Sequence, residues 1–232
     1  VLALKDLSSA HLVFGESGVQ YLQAPVRPIR DTRERVKTYT FAHLLHNIGY
    51  SDTSMMCGLV KAWRTLYDVV SPDLAIFDYS PTALIASRDS SFIRVVYGQG
   101  FQIPPDSYPL PNLRLSEAVD LERLRQDEDR IVMAINAVLR TFALSPVACI
   151  ADLFRAESSL LVTFQELDPY VERSGGDYRG IPSGRLRGDS PEWPSGEGKR
   201  IFAYLKPCKA LPGLLNELRK LAQPTIVVGS DI

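Results

Sequence analysis

Pro72-Asp73-Leu74-Ala75-Ile76-Phe77-Asp78-Tyr79-Ser80-Pro81-Thr82-Ala83-Leu84-Ile85 runs a short apolar strand into an acidic residue and then into a helix start. Ser80 is a favoured N-cap residue, and Pro81 suits the first helical position because it has no N–H to lose. In open α/β sheets, ligands bind in the crevice beyond the carboxyl ends of the strands, so Asp78 is placed on the rim of a site. A second local reading makes Asp78 a cap or ion-pair partner at the helix N-terminus, where the dipole favours negative charge.

Further along, Ile93-Arg94-Val95-Val96-Tyr97 is strand-like and leads into Gly98-Gln99-Gly100-Phe101 and Ile103-Pro104-Pro105. Glycines at 98 and 100 let the backbone turn sharply or approach a ligand closely. The third glycine and the following helix of a dinucleotide fingerprint are missing, so no NAD site is expected here.

Outside these stretches the same alternation continues. Strands are expected at 2–5, 19–22, 160–164, 200–205 and 225–228, with a loop at 27–30. Helices are expected at 7–14, 32–48, 54–70, within 115–144, at 147–154 and at 211–222. Met56, Leu59, Val60, Trp63, Leu66 and Tyr67 form an apolar stripe explained by core packing, with an acceptor-pocket role for Trp63 or Met56 as the alternative. Glu122, Arg123, Arg125, Asp127, Glu128, Asp129 and Arg130 form a mixed-sign cluster expected on a solvated face. Asn136 is expected to bond backbone or a neighbouring helix. Alternating strands and helices imply an α/β sandwich with a parallel sheet covered on both faces. Glycine and proline recur from Tyr170 to Gly198, which predicts a linker. The expected domains are therefore 1–169, the linker 170–198, and an incomplete second domain at 199–232 that begins with one βαβ unit.

The 232 residues carry a formal net charge of −1 and 45% hydrophobic residues. They contain no basic stripe of the kind that binds nucleic acid. No apolar run approaches the roughly 18 residues needed to span a membrane, and no signal-peptide pattern opens the chain, which leaves the cytoplasm as the expected location. Cys57, Cys149 and Cys208 are widely spaced and form no CxxC pair, which argues against disulfides or a zinc site. His43 and His46 stand three apart on a helix, but no acidic or cysteine pattern completes a metal site around them.

Taken in order, Ala24-Pro25, Ala62-Trp63-Arg64, the Pro72–Leu84 segment, Gly98–Phe101 with Pro104-Pro105, and Pro109-Leu110-Pro111 resemble the family-1 type glycosyltransferases of the GT-B fold. The series continues through Ile135–Leu139, Glu166–Tyr170, Tyr178-Arg179-Gly180, Trp193-Pro194 and Ile201–Leu205. The similarity is greatest to the bacterial group related to UDP-glucuronosyltransferases and macrolide glycosyltransferases. It implies a Rossmann-like acceptor-side domain, a three-layer sandwich lacking its first strand, followed by the start of a nucleotide-sugar-binding domain. It also implies inverting transfer of a hexosyl group from a nucleotide-diphosphate sugar, expected to be a UDP-sugar, to a small-molecule acceptor, with no other cofactor and no metal.

By the same resemblance, Asp78 matches the acid that partners the family's basic histidine. The loop that carries this histidine is absent, so the chain by itself is expected to be inactive. Gly98, Gly100 and Phe101 would shape the acceptor side, and Lys206 would approach the donor pyrophosphate. Leu205-Lys206-Pro207 departs from the Gly or Ser loop more common there, and a solvated loop lysine is the alternative. Two further readings stay open: a catalytically silent relative that binds a small molecule or protein in the same cleft, and a sugar-nucleotide epimerase of similar architecture.

Overall fold

In the computed structural model, residues 1–27, 35–182 and 191–229 are described. The expected loop at 28–30, the first turn of the helix expected from 32, and 183–190 of the expected linker lie outside them. Contacts divide the chain into two compact units, Val1–Pro182 and Ser183–Ile232. The first unit runs β1 (Leu2–Leu4), α1 (Ala10–Phe14), β2 (Tyr21–Gln23), α2 (Phe41–Asn47), α3 (Thr53–Val70), β3 (Leu74–Asp78), α4 (Pro81–Ala86), β4 (Ile93–Gly98), α5 (Leu121–Thr141) and β5 (Ser158–Leu161). Short 3₁₀ turns stand at Gly100–Gln102, Ile150–Phe154 and Gln165–Leu167. The second unit carries β6 (Ile201–Tyr204), α6 (Leu211–Leu221) and β7 (Thr225–Val228).

Every strand pairing is parallel, as a chain of strand–helix repeats requires. The strands of the first unit form two ladders, β1–β2 and β3–β4–β5, where one sheet was expected. The run Leu74-Ala75-Ile76-Phe77 is as apolar as a central strand, yet it stands at a ladder edge with Leu74 and Ile76 exposed. An apolar run specifies that a strand forms, and leaves open which neighbour it meets. β5 begins and ends earlier than its sequence suggested, because its ladder with β4 pairs Val95 with Ser158 and Gly98 with Leu161.

The two long helices, α3 and α5, begin where a side chain satisfies a free N–H group of the first turn. Asp52 accepts from Met55 N–H at the head of α3, and Asp120 accepts from Glu122 N–H at the head of α5. Thr40 delays α2 to Phe41, so the polar half of the expected helix is not helical over 35–40. α3 packs on α4 and α5, and α2 packs on α5. Between them lies one core, in which Phe41, Leu45, Met56, Val60, Leu84, Ile135 and Leu139 are fully buried and Trp63 nearly so. Each such side chain contributes about 1.5–3 kcal/mol of burial. Trp63 and Met56 are thus core residues. Asn136 exchanges two hydrogen bonds with the Val147 backbone, both 2.9 Å, as its sequence position suggested.

The mixed-sign cluster is corrected at one residue. Glu128 is 1% exposed and continues the buried stripe of Leu124, Ile131 and Ile135. Its carboxylate oxygens accept from Leu110 N–H at 2.8 Å and Ile150 N–H at 3.1 Å, fastening two loops to α5. Burial raises this carboxyl above the usual range, against the lowering effect of those two donors. Removing the acceptor leaves both backbone donors unsatisfied, at about 1–3 kcal/mol each. Glu128→Ala is expected to lose about 2–5 kcal/mol in urea unfolding, while Arg125→Ala on the exposed face stays within about 0.5 kcal/mol. Equal small losses would show that Glu128 fastens nothing.

His43 is buried as well, with Nδ1 accepting from Thr40 N–H at 3.2 Å and Nε2 lying 3.2 Å from Asp127 Oδ2. The ring is therefore the neutral tautomer with the proton on Nε2. Burial lowers its pKa below 6.5, Asp127 opposes this, and Arg123 and His46 add to it. A folded pKa below the unfolded one makes the unfolded chain bind more protons in the window between them. Stability is expected to be full above pH 6.5 and to fall as pH drops below it. His43→Gln should flatten that part of a stability-versus-pH curve measured by urea unfolding, and an unchanged slope would assign it elsewhere.

Candidate functional site

β3 and β4 end level with each other, since Asp78 pairs with Tyr97 and Gly98 follows immediately. The turn after β3 and the Gly98–Phe101 turn after β4 therefore emerge side by side at the carboxyl end of the ladder. This is the end at which parallel α/β sheets bind ligands. Asp78 is exposed there. Among the described residues its carboxylate has no hydrogen-bond or ion-pair partner. Ser80 is the N-cap position of α4 but donates its hydroxyl to the Asp78 carbonyl oxygen at 2.9 Å, and α4 has no side-chain cap. The capping and ion-pairing alternative for Asp78 thus has no contact to support it.

The two glycines are small for reasons inside the protein. A β-carbon on Gly100 would fall 2.5 Å from Asp168 Oδ1 and 3.0 Å from Pro169 Cδ. On Gly98 it would meet the Gln102 side chain, 2.8 Å from Oε1 and 3.2 Å from Cβ, and that Oε1 already accepts from Gln99 N–H at 2.7 Å. Asp168 is the centre of a network that sequence reasoning left without a role. It accepts from Arg173 Nε at 2.6 Å, Tyr178 Oη at 2.7 Å and Tyr170 N–H at 2.9 Å. Arg173 also donates to the Gly100 carbonyl at 2.9 Å and the Ile103 carbonyl at 2.6 Å. Burial alone would raise the Asp168 carboxyl, yet these donors hold it below the usual carboxylate range.

The beginning of the expected linker, 170–182, is accordingly packed into the first unit. Tyr170 is buried, and the Tyr178 backbone bridges to Leu161 beside β5. Glycine and proline mark the lack of a regular element, not the lack of packing. Asp and Arg five positions apart in a turn-rich loop carry no periodic signal, so the network was not legible in advance.

Phe101 stands at the mouth, 37% exposed, with its ring 5.7 Å from that of Tyr79. Tyr79 in turn meets the buried Phe41 edge-on at 6.3 Å, and Phe41 meets Phe154 at 5.4 Å. None of the three histidines pairs with Asp78. His43 is held by Thr40 and Asp127, His46 bonds Ser51 at 2.9 Å, and His11 lies on α1. The two helical histidines thus have different partners, and no metal-binding group stands among the described residues. A separate cavity of about 240 Å³ lies along β5, lined by Pro104, Asp106, Arg155, Ser159 and Gly175, and Asp78 is not part of it.

In the second unit β6, α6 and β7 make one parallel βαβ. Lys206 is exposed in the loop after β6 and has no ion pair among the described residues. No helix among the described residues is long and apolar enough to cross a membrane.

No protein-family profile matches the sequence, and no curated protein matches it. Solved structures do. The glycosyltransferase of kitacinnamycin is 19% identical, with 97% of this chain and 56% of that one covered and a TM-score of 0.62. The glycosyltransferase SnogD from Streptomyces nogalater is 14% identical, with 96% of this chain and 58% of that one covered and a TM-score of 0.52. The chain thus spans little more than half the length of each. It has their fold: the Rossmann-like α/β architecture of a GT-B protein, with parallel strands in both units.

Proposed function

We propose that this chain is the acceptor-side part, and the beginning of the donor-side part, of an inverting glycosyltransferase. The single observation that carries the reading is Asp78, an exposed carboxylate without a partner among the described residues, at the carboxyl end of a parallel ladder whose fold is that of glycosyltransferases. The substrate is a nucleotide-diphosphate hexose, with UDP as the nucleotide, and the acceptor is a small molecule with a hydroxyl group. Asp78 holds an imidazole in the tautomer that receives the acceptor's proton and stabilises the imidazolium that results. That imidazole is not one of His11, His43 or His46. As the acceptor oxygen attacks the anomeric carbon, the bond to the leaving diphosphate breaks and the configuration there inverts. Gly98, Gly100 and Phe101 shape the acceptor side, and Lys206 offsets charge on the diphosphate.

The test is acceptor-dependent release of nucleoside diphosphate by the complete protein, followed by the anomeric configuration of the product by NMR. A β-linked product from an α-linked donor supports the reading. Donor binding without any acceptor-dependent release would favour a silent binding protein, and a retained configuration would remove the inverting mechanism.

A further inference from the structure

Tyr79 is held in a backbone conformation that its β-carbon disfavours, with φ at +43° in the left-handed region. Such a residue persists only where its surroundings over-determine it. Here the surroundings are aromatic. The Tyr79 ring rests edge-on against Phe41 at an interplanar angle of 82° and is tilted at 56° to Phe101. Yet Tyr79 and Phe101 each remain 37% exposed, so the pair is backed by the core on one side and open on the other.

The polar end of this cluster is also unfinished. The Tyr79 hydroxyl has no partner among the described residues. The Tyr170 hydroxyl, in the segment whose Asp168 and Pro169 pack against Gly100, is buried and has no partner among the described residues. Buried hydroxyls are ordinarily satisfied, and one that is not asks for an occupant. Asp78 directly precedes Tyr79, and Phe101 follows the end of the paired strand β4, so both rings belong to the turns at the carboxyl end of the ladder.

We propose that Tyr79 and Phe101 form an aromatic wall of the acceptor subsite, selecting an acceptor whose reactive hydroxyl is carried on a flat, unsaturated ring. The word acceptor rests on the glycosyl-transfer reading; the ring-binding wall does not. A flat ring gains offset or edge contacts with both aromatic rings beyond the area it buries, whereas a saturated alcohol of the same size gains only the burial. Tyr79 is thus a specificity residue absent from the set the sequence suggested.

The experiment compares 1-naphthol with decahydro-1-naphthol by calorimetric titration of the complete protein, its Tyr79→Leu, Tyr79→Phe and Phe101→Leu variants, with donor-dependent glycosylation of both alcohols measured in parallel. Wild type is expected to prefer naphthol about tenfold, from two ring contacts. Tyr79→Leu and Phe101→Leu should each lose most of that preference, and Tyr79→Phe should restore it. Equal affinity for the two alcohols, no binding of naphthol, or an undiminished preference in a folded leucine variant would overturn the wall. Preference without glycosylation of either alcohol would uphold the wall and defeat the transfer reading. Glycosylation of both alcohols at equal kcat/KM, independent of Tyr79, would do the reverse.

Discussion

Asp78→Asn in the complete protein is expected to lower kcat on the order of 10²–10⁴-fold, the range over which positioned acid–base groups and their orienting carboxylates act. Folding stability should change by less than about 0.5 kcal/mol, because Asp78 is exposed and its carboxylate has no hydrogen-bond or ion-pair partner among the described residues. That separation is what gives the variant its force. A carboxylate that capped α4 or paired with a cation would lose stability and activity together. One that orients an imidazole loses activity alone, and the amide fails because it neither stabilises the imidazolium nor fixes the tautomer. Urea unfolding and single-turnover transfer on the same preparation decide between them, and near-normal turnover would remove Asp78 from the chemistry.

Arg173→Met is expected to act in the opposite sense, on stability first. The guanidinium and the Asp168 carboxylate lie 2.6 Å apart with side-chain exposures of 7% and 2%, so removing one charge strands the other. Breaking such a buried pair costs about 3–5 kcal/mol. For a unit of this size that corresponds to a fall in Tm of roughly 6–20 °C. The Gly100 and Ile103 carbonyls lose their donor in the same step, so the turn carrying Phe101 should loosen and exchange its amide protons faster. Adding Asp168→Leu should recover part of the loss, since it removes the stranded carboxylate. A single-variant loss below about 1 kcal/mol would mean that the network does not hold the turn.

Both effects concern the same end of the ladder and divide along a physical line. Asp78 was legible because a strand, an acid, a cap residue and a proline in sequence make one local pattern, and local patterns survive folding. Phe101 and the two glycines were legible as a turn for the same reason. What the glycines face was not, because the space beside Gly100 is filled by Asp168, from a segment whose composition suggested a linker. Glu128 could have been found: its spacing from Leu124, Ile131 and Ile135 is that of a buried stripe, but charge on both sides of it in sequence hid the pattern.

By itself the sequence determined the α/β class, the order and approximate bounds of the strands and long helices, the βαβ of the second unit, and the acid at the end of β3. These follow from apolar periodicity, cap residues and turn formers acting over a few neighbours. Only the tertiary structure decided that the first unit's strands form two ladders, that Tyr170–Pro182 packs against β5 and the Gly100 turn, and that Tyr79 and Phe101 meet. Those pairings join residues far apart in the chain, and their free energies depend on burial, ion pairing and backbone strain that arise only once the separate segments are brought together.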